Sequence, residues 1–173
     1  NMKTKNICKF IPAKEPERLE INCFILESNI ATMAQGERLS CNMAILVKQG
    51  KVDFCFDGEK TSACAGNLLF GFDGESFCAK ACEGCEYMYI NFSGSRSDTL
   101  FRRFGINRIK RCFANFDGLI PLWHDSLSRA SEENIDLVFW IYTLIGVCFN
   151  TFFKLFSVPT ASSHRHRHSQ ALS

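Results

Sequence analysis

The spacing of turn residues between positions 42 and 94 constrains this chain more than any other feature. The segment reads NMAILVKQGKVDFCFDGEKTSACAGNLLFGFDGESFCAKACEGCEYMYINFSG. Short apolar or alternating runs are punctuated by Gly50, the Asp57-Gly58 pair, Gly66, Gly74 and Gly84. Glycine and Asp-Gly supply the positive φ that tight connections between antiparallel strands require. Turn signals every eight to ten residues predict a small β-sandwich or barrel.

The expected strands are 21–28, 43–48, 51–57, 60–64, 67–72, 75–81 and 85–92, with 29–41 as a connection. Segments 43–48 and 51–57 are expected to form a hairpin around Gln49-Gly50. In the second of these, Val52, Phe54 and Phe56 share one face, and Asp53, Cys55 and Asp57 the other. After Ser93-Gly94-Ser95 the period changes. Ser97 is a candidate N-cap, with Asp98 near the positive end of the helix dipole. Leu100, Phe101 and Phe104 share a face, and Gly105 suits a left-handed helix end. A connector over 106–118 leads to a helix from about 121 to 130. Another is expected from 132 or 134 to about 156, apolar around most of its circumference. Strands followed by helices indicate α+β segregation. The expected organisation is an N-terminal arm over 1–20, a barrel over 21–94, a helical region over 95–156 and a disordered tail over 157–173.

Composition narrows the function classes. A chain of 173 residues with 46% hydrophobic content suits one domain with a sizeable core. The opening NMKTKNICKF has no apolar core of a signal peptide, so its ten cysteines are expected to be reduced thiols in a cytoplasmic protein. The longest apolar run, 137–149, is too short for a bilayer, which needs about 20 residues, and no membrane partner is expected. A net charge of +2 argues against nucleic-acid binding by the whole chain. The basic run 102–111, RRFGINRIKR, is read as a solvated helix end.

Two residue groups invite a metal reading. Cys78, Cys82 and Cys85 lack the second pair that a structural zinc site needs, and His164, His166 and His168 lie in the polar tail. His124 has only its sequence neighbour Asp125 as a candidate partner, and adjacent helix residues do not face each other. It is read as a surface histidine, and no catalytic residue is assigned.

The run EYMYINFSGS, residues 86–95, resembles the aromatic last barrel strand and Phe-x-Gly exit of the N-terminal half of arabinose-regulator-type (AraC family) transcription factors. Residues 42–77 are similar to that family's succession of strands, Gly turns and an x-Gly-[Asp/Asn]-Leu strand. The resemblance covers roughly 20–155. It implies a cupin-like antiparallel β-barrel of jelly-roll type followed by C-terminal helices. It also implies a small-molecule effector such as a sugar, a homodimer, and DNA contact only through a helix-turn-helix half that this chain does not contain. The seventeen-residue tail stands where that half would begin.

Metal-binding cupins carry a His-x-His pair, a Glu and a later His. Residues 38–48 contain no His, and Phe77 stands where the later His would be, after Phe72-Asp73-Gly74. No metal, no cofactor and no enzymatic activity are therefore expected. A standalone metal-free metabolite-binding cupin is the alternative, and a cupin enzyme a more distant one.

The strand aromatics Phe54, Phe56, Phe70, Phe72, Phe77, Tyr87 and Tyr89 supply fill and pocket wall. The expected ligand site combines Phe54, Phe56, Phe77, Tyr87, Tyr89 and Asn91 with Phe24, Met43 and Ile45 opposite, around a barrel cavity of at least about 300 Å³. The expected dimer seam includes Trp140, Ile141, Leu144 and Cys148.

Overall fold

A computed structural model of the protein describes residues 18–130, with side chains to residue 128. The arm before residue 18, the helix expected up to 156 with Trp140, Ile141, Leu144 and Cys148, and the histidine-bearing tail lie outside the described residues.

Among the described residues, nine strands and three helices follow in chain order: β1 Glu20–Glu27, α1 Ile30–Met33, β2 Glu37–Arg38, β3 Asn42–Gln49, β4 Lys51–Phe56 and β5 Glu59–Cys64. They continue as β6 Leu68–Gly71, β7 Ser76–Ala81, β8 Glu86–Ser93, α2 Ser95–Phe104, β9 Cys112–Phe113 and α3 Leu119–Ala130. One sheet has the order β1-β8-β3-β6-β9 and the other β2-β7-β4-β5, and every pairing is antiparallel. Setting aside β9, the orders 1-8-3-6 and 2-7-4-5 define a jelly roll of the cupin type.

The Asp57-Gly58 pair makes the tight hairpin predicted for it. Both residues have positive φ, 49° and 85°, and Phe56 pairs with Glu59 across the two-residue loop. The hairpin expected around Gln49-Gly50 does not form. β3 pairs with β6 and β8, whereas β4 pairs with β5 and β7, so Gly50 is a corner between sheets. Its φ of +78° and the closeness of Cys85 require glycine at that corner.

The two sheets differ in burial. β4 alternates, with Val52, Phe54 and Phe56 buried and Asp53 exposed, because only its inner face meets the core. β3 and β6 read as continuous apolar runs because their sheet is covered on both sides. Met43, Ile45, Val47 and Leu69 face the opposing sheet and pack with Phe54, Phe56 and Phe77. Ala44, Leu46, Leu68, Phe70, Met88, Ile90 and Phe92 face outward, under Phe101, Phe113, Phe116 and Trp123 of the helical layer.

That layer corrects two expectations. Ser97 does not cap α2: the helix starts at Ser95 after Gly94, and Ser97 is buried in the first turn. Its hydroxyl donates to the Gly94 carbonyl at 2.5 Å and accepts from Asn42 Nδ2 at 3.3 Å. Gly105 ends the helix at φ 64°, as predicted, with the Ile106 N–H bonded to the Phe101 carbonyl at 2.9 Å. The 106–118 connector is not featureless, since Cys112 and Phe113 add β9 to the edge of β6.

The basic run is divided by the fold. Arg102 and Arg103 lie in the last turn of α2, at the negative end of its dipole. Arg111 is instead buried against Glu75. Its Nη1 and Nη2 donate to the two carboxylate oxygens at 2.8 and 2.7 Å, and its guanidinium lies 4.4 Å from the Phe56 ring centroid. This ion pair ties the connector to the turn between β6 and β7.

Candidate functional site

Strand register determines which side chains reach the barrel interior. Directly opposed residues in an antiparallel pair share a face. On β8, Tyr87, Tyr89 and Asn91 alternate with outward-facing Met88, Ile90 and Phe92. β1 pairs Asn91 with Cys23, Tyr89 with Ile25 and Tyr87 with Glu27. β3 pairs the same three with Met43, Ile45 and Val47. On the facing sheet, Phe77 is opposite Phe56 on one side and Glu37 on the other.

Of the nine predicted ligand residues, eight therefore share the interior face. Phe24 does not: it lies on the other side of β1, edge-on to Trp123 at 5.6 Å. A register shift between Ile21 and Cys23 sets that parity. Phe70 and Phe72 also belong to the helical side, where both contact Phe101.

The centre of the barrel is filled. Phe54 stacks on Phe77 at 6.2 Å and 21° and meets Tyr87 edge-on at 5.2 Å, while Phe56 lies 5.4 Å from Phe77. Met43, Ile45, Val52 and Phe54 have no exposure. Among the described residues the barrel centre shows no cavity of the expected size, at least about 300 Å³; three phenylalanine rings occupy the space a deep pocket would need. A partly open space of about 180 Å³ lies at the barrel mouth, lined by Phe77, Tyr87, Tyr89, Glu27, Glu37, Thr32, Met33, Gln35 and Gly36.

The short helix α1 roofs this mouth. Asn29 caps it, its Oδ1 accepting the Ala31 N–H at 2.9 Å, and Met33 anchors it in the core. The sequence predicts only a connection over 29–41. Its Asn-capped IATM turn was the signal for this helix. Glu27 and Glu37 are functional candidates that sequence reading missed. Glu27 is on the same parity as Cys23 and Ile25, but only the β1–β8 register shows that this parity faces inward.

Among the described residues, Glu27 and Glu37 make the mouth electrostatically negative. Burial holds the Tyr87 hydroxyl neutral beyond the ordinary phenol range, with Glu27, Tyr89 and Glu37 adding to the effect. Tyr89 is pushed up to about 12, by burial first and then by Cys23, Glu37 and Glu27. Asn91 Oδ1 is buried without a hydrogen-bond partner among the described residues. Burial also raises the Cys23 thiol, against a hydrogen bond from Asn91.

Cys78, Cys82 and Cys85 do not converge on one point. Cys78 is paired with Cys55 across β7 and β4, Cys82 is exposed, and the Cys85 thiol donates to the Lys51 carbonyl at 3.2 Å. Among the described residues no three His, Cys, Asp or Glu side chains are grouped as metal ligands. His124 is exposed on α3. Outside the barrel, an open groove of about 520 Å³ runs between α2 and the connector, lined by Phe72, Asp98, Phe101, Arg102, Ile106, Asn107 and Arg108. Among the described residues no helix is long and apolar enough to cross a membrane.

No protein-family model matches the chain, and no curated protein matches it. Solved structures do. The EutQ protein of Clostridium difficile is 24% identical over 33% of this chain and 45% of its own, with a TM-score of 0.31. The cupin domain of Schizosaccharomyces pombe Cnp3 is 13% identical over 56% of this chain and 69% of its own, at 0.38. An apo ToxT variant from Vibrio cholerae is 6% identical over 81% of this chain and 56% of its own, at 0.48. The chain thus spans about half the length of the EutQ and ToxT chains.

Proposed function

We propose that this chain is the effector-sensing and dimerisation domain of a transcription regulator of the arabinose-regulator type, without catalytic activity. The carrying observation is the partly open cavity at the barrel mouth, where the Phe77, Tyr87 and Tyr89 side chains meet Glu27, Thr32, Gln35 and Glu37. A concave site that sets aromatic rings beside several placed polar groups suits a small polar organic ligand. At about 180 Å³ the cavity suits a compact metabolite. The sensing role moves from the filled barrel centre to this mouth.

The mechanism is differential binding. A ligand under α1 contacts the end of β1, the start of β2 and the interior of β8 together. It favours whichever arrangement of these elements it fits best, and the domain's partners respond to that bias. Residues 131–156 supply the dimer contacts in this proposal, and DNA is reached only through a helix-turn-helix half outside this chain.

A metabolite screen by thermal shift, followed by calorimetry, tests the sensing role. A hit should weaken in Tyr87→Phe and Tyr89→Leu and stay unchanged in Asp53→Asn, on the outer face of β4. Hits indifferent to both tyrosines would remove the mouth as the site. The reading frame downstream of residue 156 tests the regulator role, and its continuation into anything other than helix-turn-helix units would overturn that part.

A further inference from the structure

Among the described residues, the mouth cavity is lined by two carboxylates and by no cationic side chain. Glu27 lies beside Tyr87, and Glu37 beside Phe77, both on the interior face by register. The Asn29 N–H donates to Glu27 Oε1 at 2.8 Å, which fixes that carboxylate at the end of β1.

A second observation points to a ligand independently of the acids. Tyr87 is 3% exposed and lines the cavity, yet its hydroxyl has no hydrogen-bond partner among the described residues. The ring is buried while the side chain lines the cavity, so a polar ligand group there can meet the hydroxyl. The aromatic rings add their own preference, since their negative faces attract cations and repel anions.

We infer that the mouth cavity takes a small organic ammonium ion, held between the Glu27 and Glu37 carboxylates and the Tyr87 and Tyr89 rings. The ammonium supplies the positive charge that the described lining lacks. A hydroxyl or amino group on the same ligand meets the Tyr87 hydroxyl. Carboxylate or phosphate ligands are rejected by the two acids. This inference rests on the proposal that the mouth is the effector site, and it replaces a neutral ligand with a charged one.

The test uses the full chain and a matched pair of probes: choline and its neutral carbon isostere 3,3-dimethylbutan-1-ol. Butylammonium and 1,4-diaminobutane extend the ammonium set, and calorimetry and ligand-observed NMR give the readout. Saturable binding of at least one ammonium probe is expected, about tenfold or more tighter than a neutral isostere of equal shape. Glu27→Gln and Glu37→Gln should each weaken it about tenfold, the effect of losing one charge-assisted contact. Unfolding midpoints of both variants should stay near the parent's, which separates lost binding from lost folding.

Equal binding of choline and its isostere would overturn the ammonium inference and leave the sensing site standing. So would a neutral or anionic metabolite that binds through Tyr87 while every ammonium probe fails. Binding of calcium or magnesium alone, lost in the same Gln variants, would assign the carboxylates to a metal and overturn it as well. No binding at the mouth by any probe or screened metabolite would remove both proposals.

Discussion

Replacing Glu75 with Gln tests the reading of the basic run. Glu75 is 1% exposed and the Arg111 side chain 8% exposed, and the pair is bidentate at 2.7 and 2.8 Å. Glu75 Oε2 also accepts the Phe72 N–H at 2.9 Å, and Arg111 Nε donates to the Arg108 carbonyl at 2.7 Å. Gln preserves shape and can still accept from Phe72, but it leaves a buried guanidinium without a countercharge. Breaking one side of a buried pair costs about 3–5 kcal/mol, whereas an exposed pair is worth about 0–1. Glu75→Gln should therefore lower stability by about 3 kcal/mol, and Arg111→Met by about 3–5 because it strands the carboxylate. The double variant removes both charges together, so it should fall short of the two single effects added by several kcal/mol. Arg108 provides an internal control: it reaches Glu75 at 3.5 Å but its side chain is 61% exposed, so Arg108→Ala should cost less than about 1 kcal/mol. Urea unfolding of the four variants, with m-values checked for constancy, gives each number. A loss below about 1 kcal/mol in Glu75→Gln, or strict additivity of the pair, would refute the burial of Arg111 and return the whole run to solvent.

Three further outcomes follow. Gly94→Ala should destabilise by about 2 kcal/mol or more, because φ is +110° and a Cβ would meet the Arg18 carbonyl. Gly58→Ala, with positive φ but open space around it, should cost about 1 kcal/mol by the same unfolding assay. In a near-ultraviolet pH titration, the tyrosinate signal of Tyr87 and Tyr89 should be delayed past the ordinary value of 10. Their folded-state pKa values are raised, so the unfolded chain ionises first. The stability they contribute is complete below about pH 10 and is lost as pH climbs toward 12, and normal titration near 10 in the folded protein would contradict the mouth's burial and charge. Light scattering at concentrations on the order of tens of micromolar should show a dimer, with Leu144→Asp giving soluble monomer; a monomeric parent would remove the proposed seam.

What the sequence determined by itself is whatever short segments decide alone. The Asp57-Gly58 hairpin follows from the φ values those two residues tolerate, and Val52-Phe54-Phe56 from the two-residue period of a strand. The Gly105 helix end is local in the same way. Phe54, Phe56, Phe77, Tyr87 and Tyr89 could be placed on one interior because each alternates within its own strand. Tertiary structure decided which strands meet. Gly50 has the residue type of a hairpin turn, yet it turns a corner between sheets because β3 and β4 find better partners elsewhere. Phe24 points to the helices because a register shift at Ile21 and Cys23 reverses its parity. Arg111 is buried because Glu75, 36 residues earlier, lies where the connector crosses. The mouth of the barrel is the clearest case. Glu27, Glu37 and Tyr87 belong to three strands of two sheets, and pairing across long stretches of chain brings their side chains to one cavity, which no local propensity or period encodes.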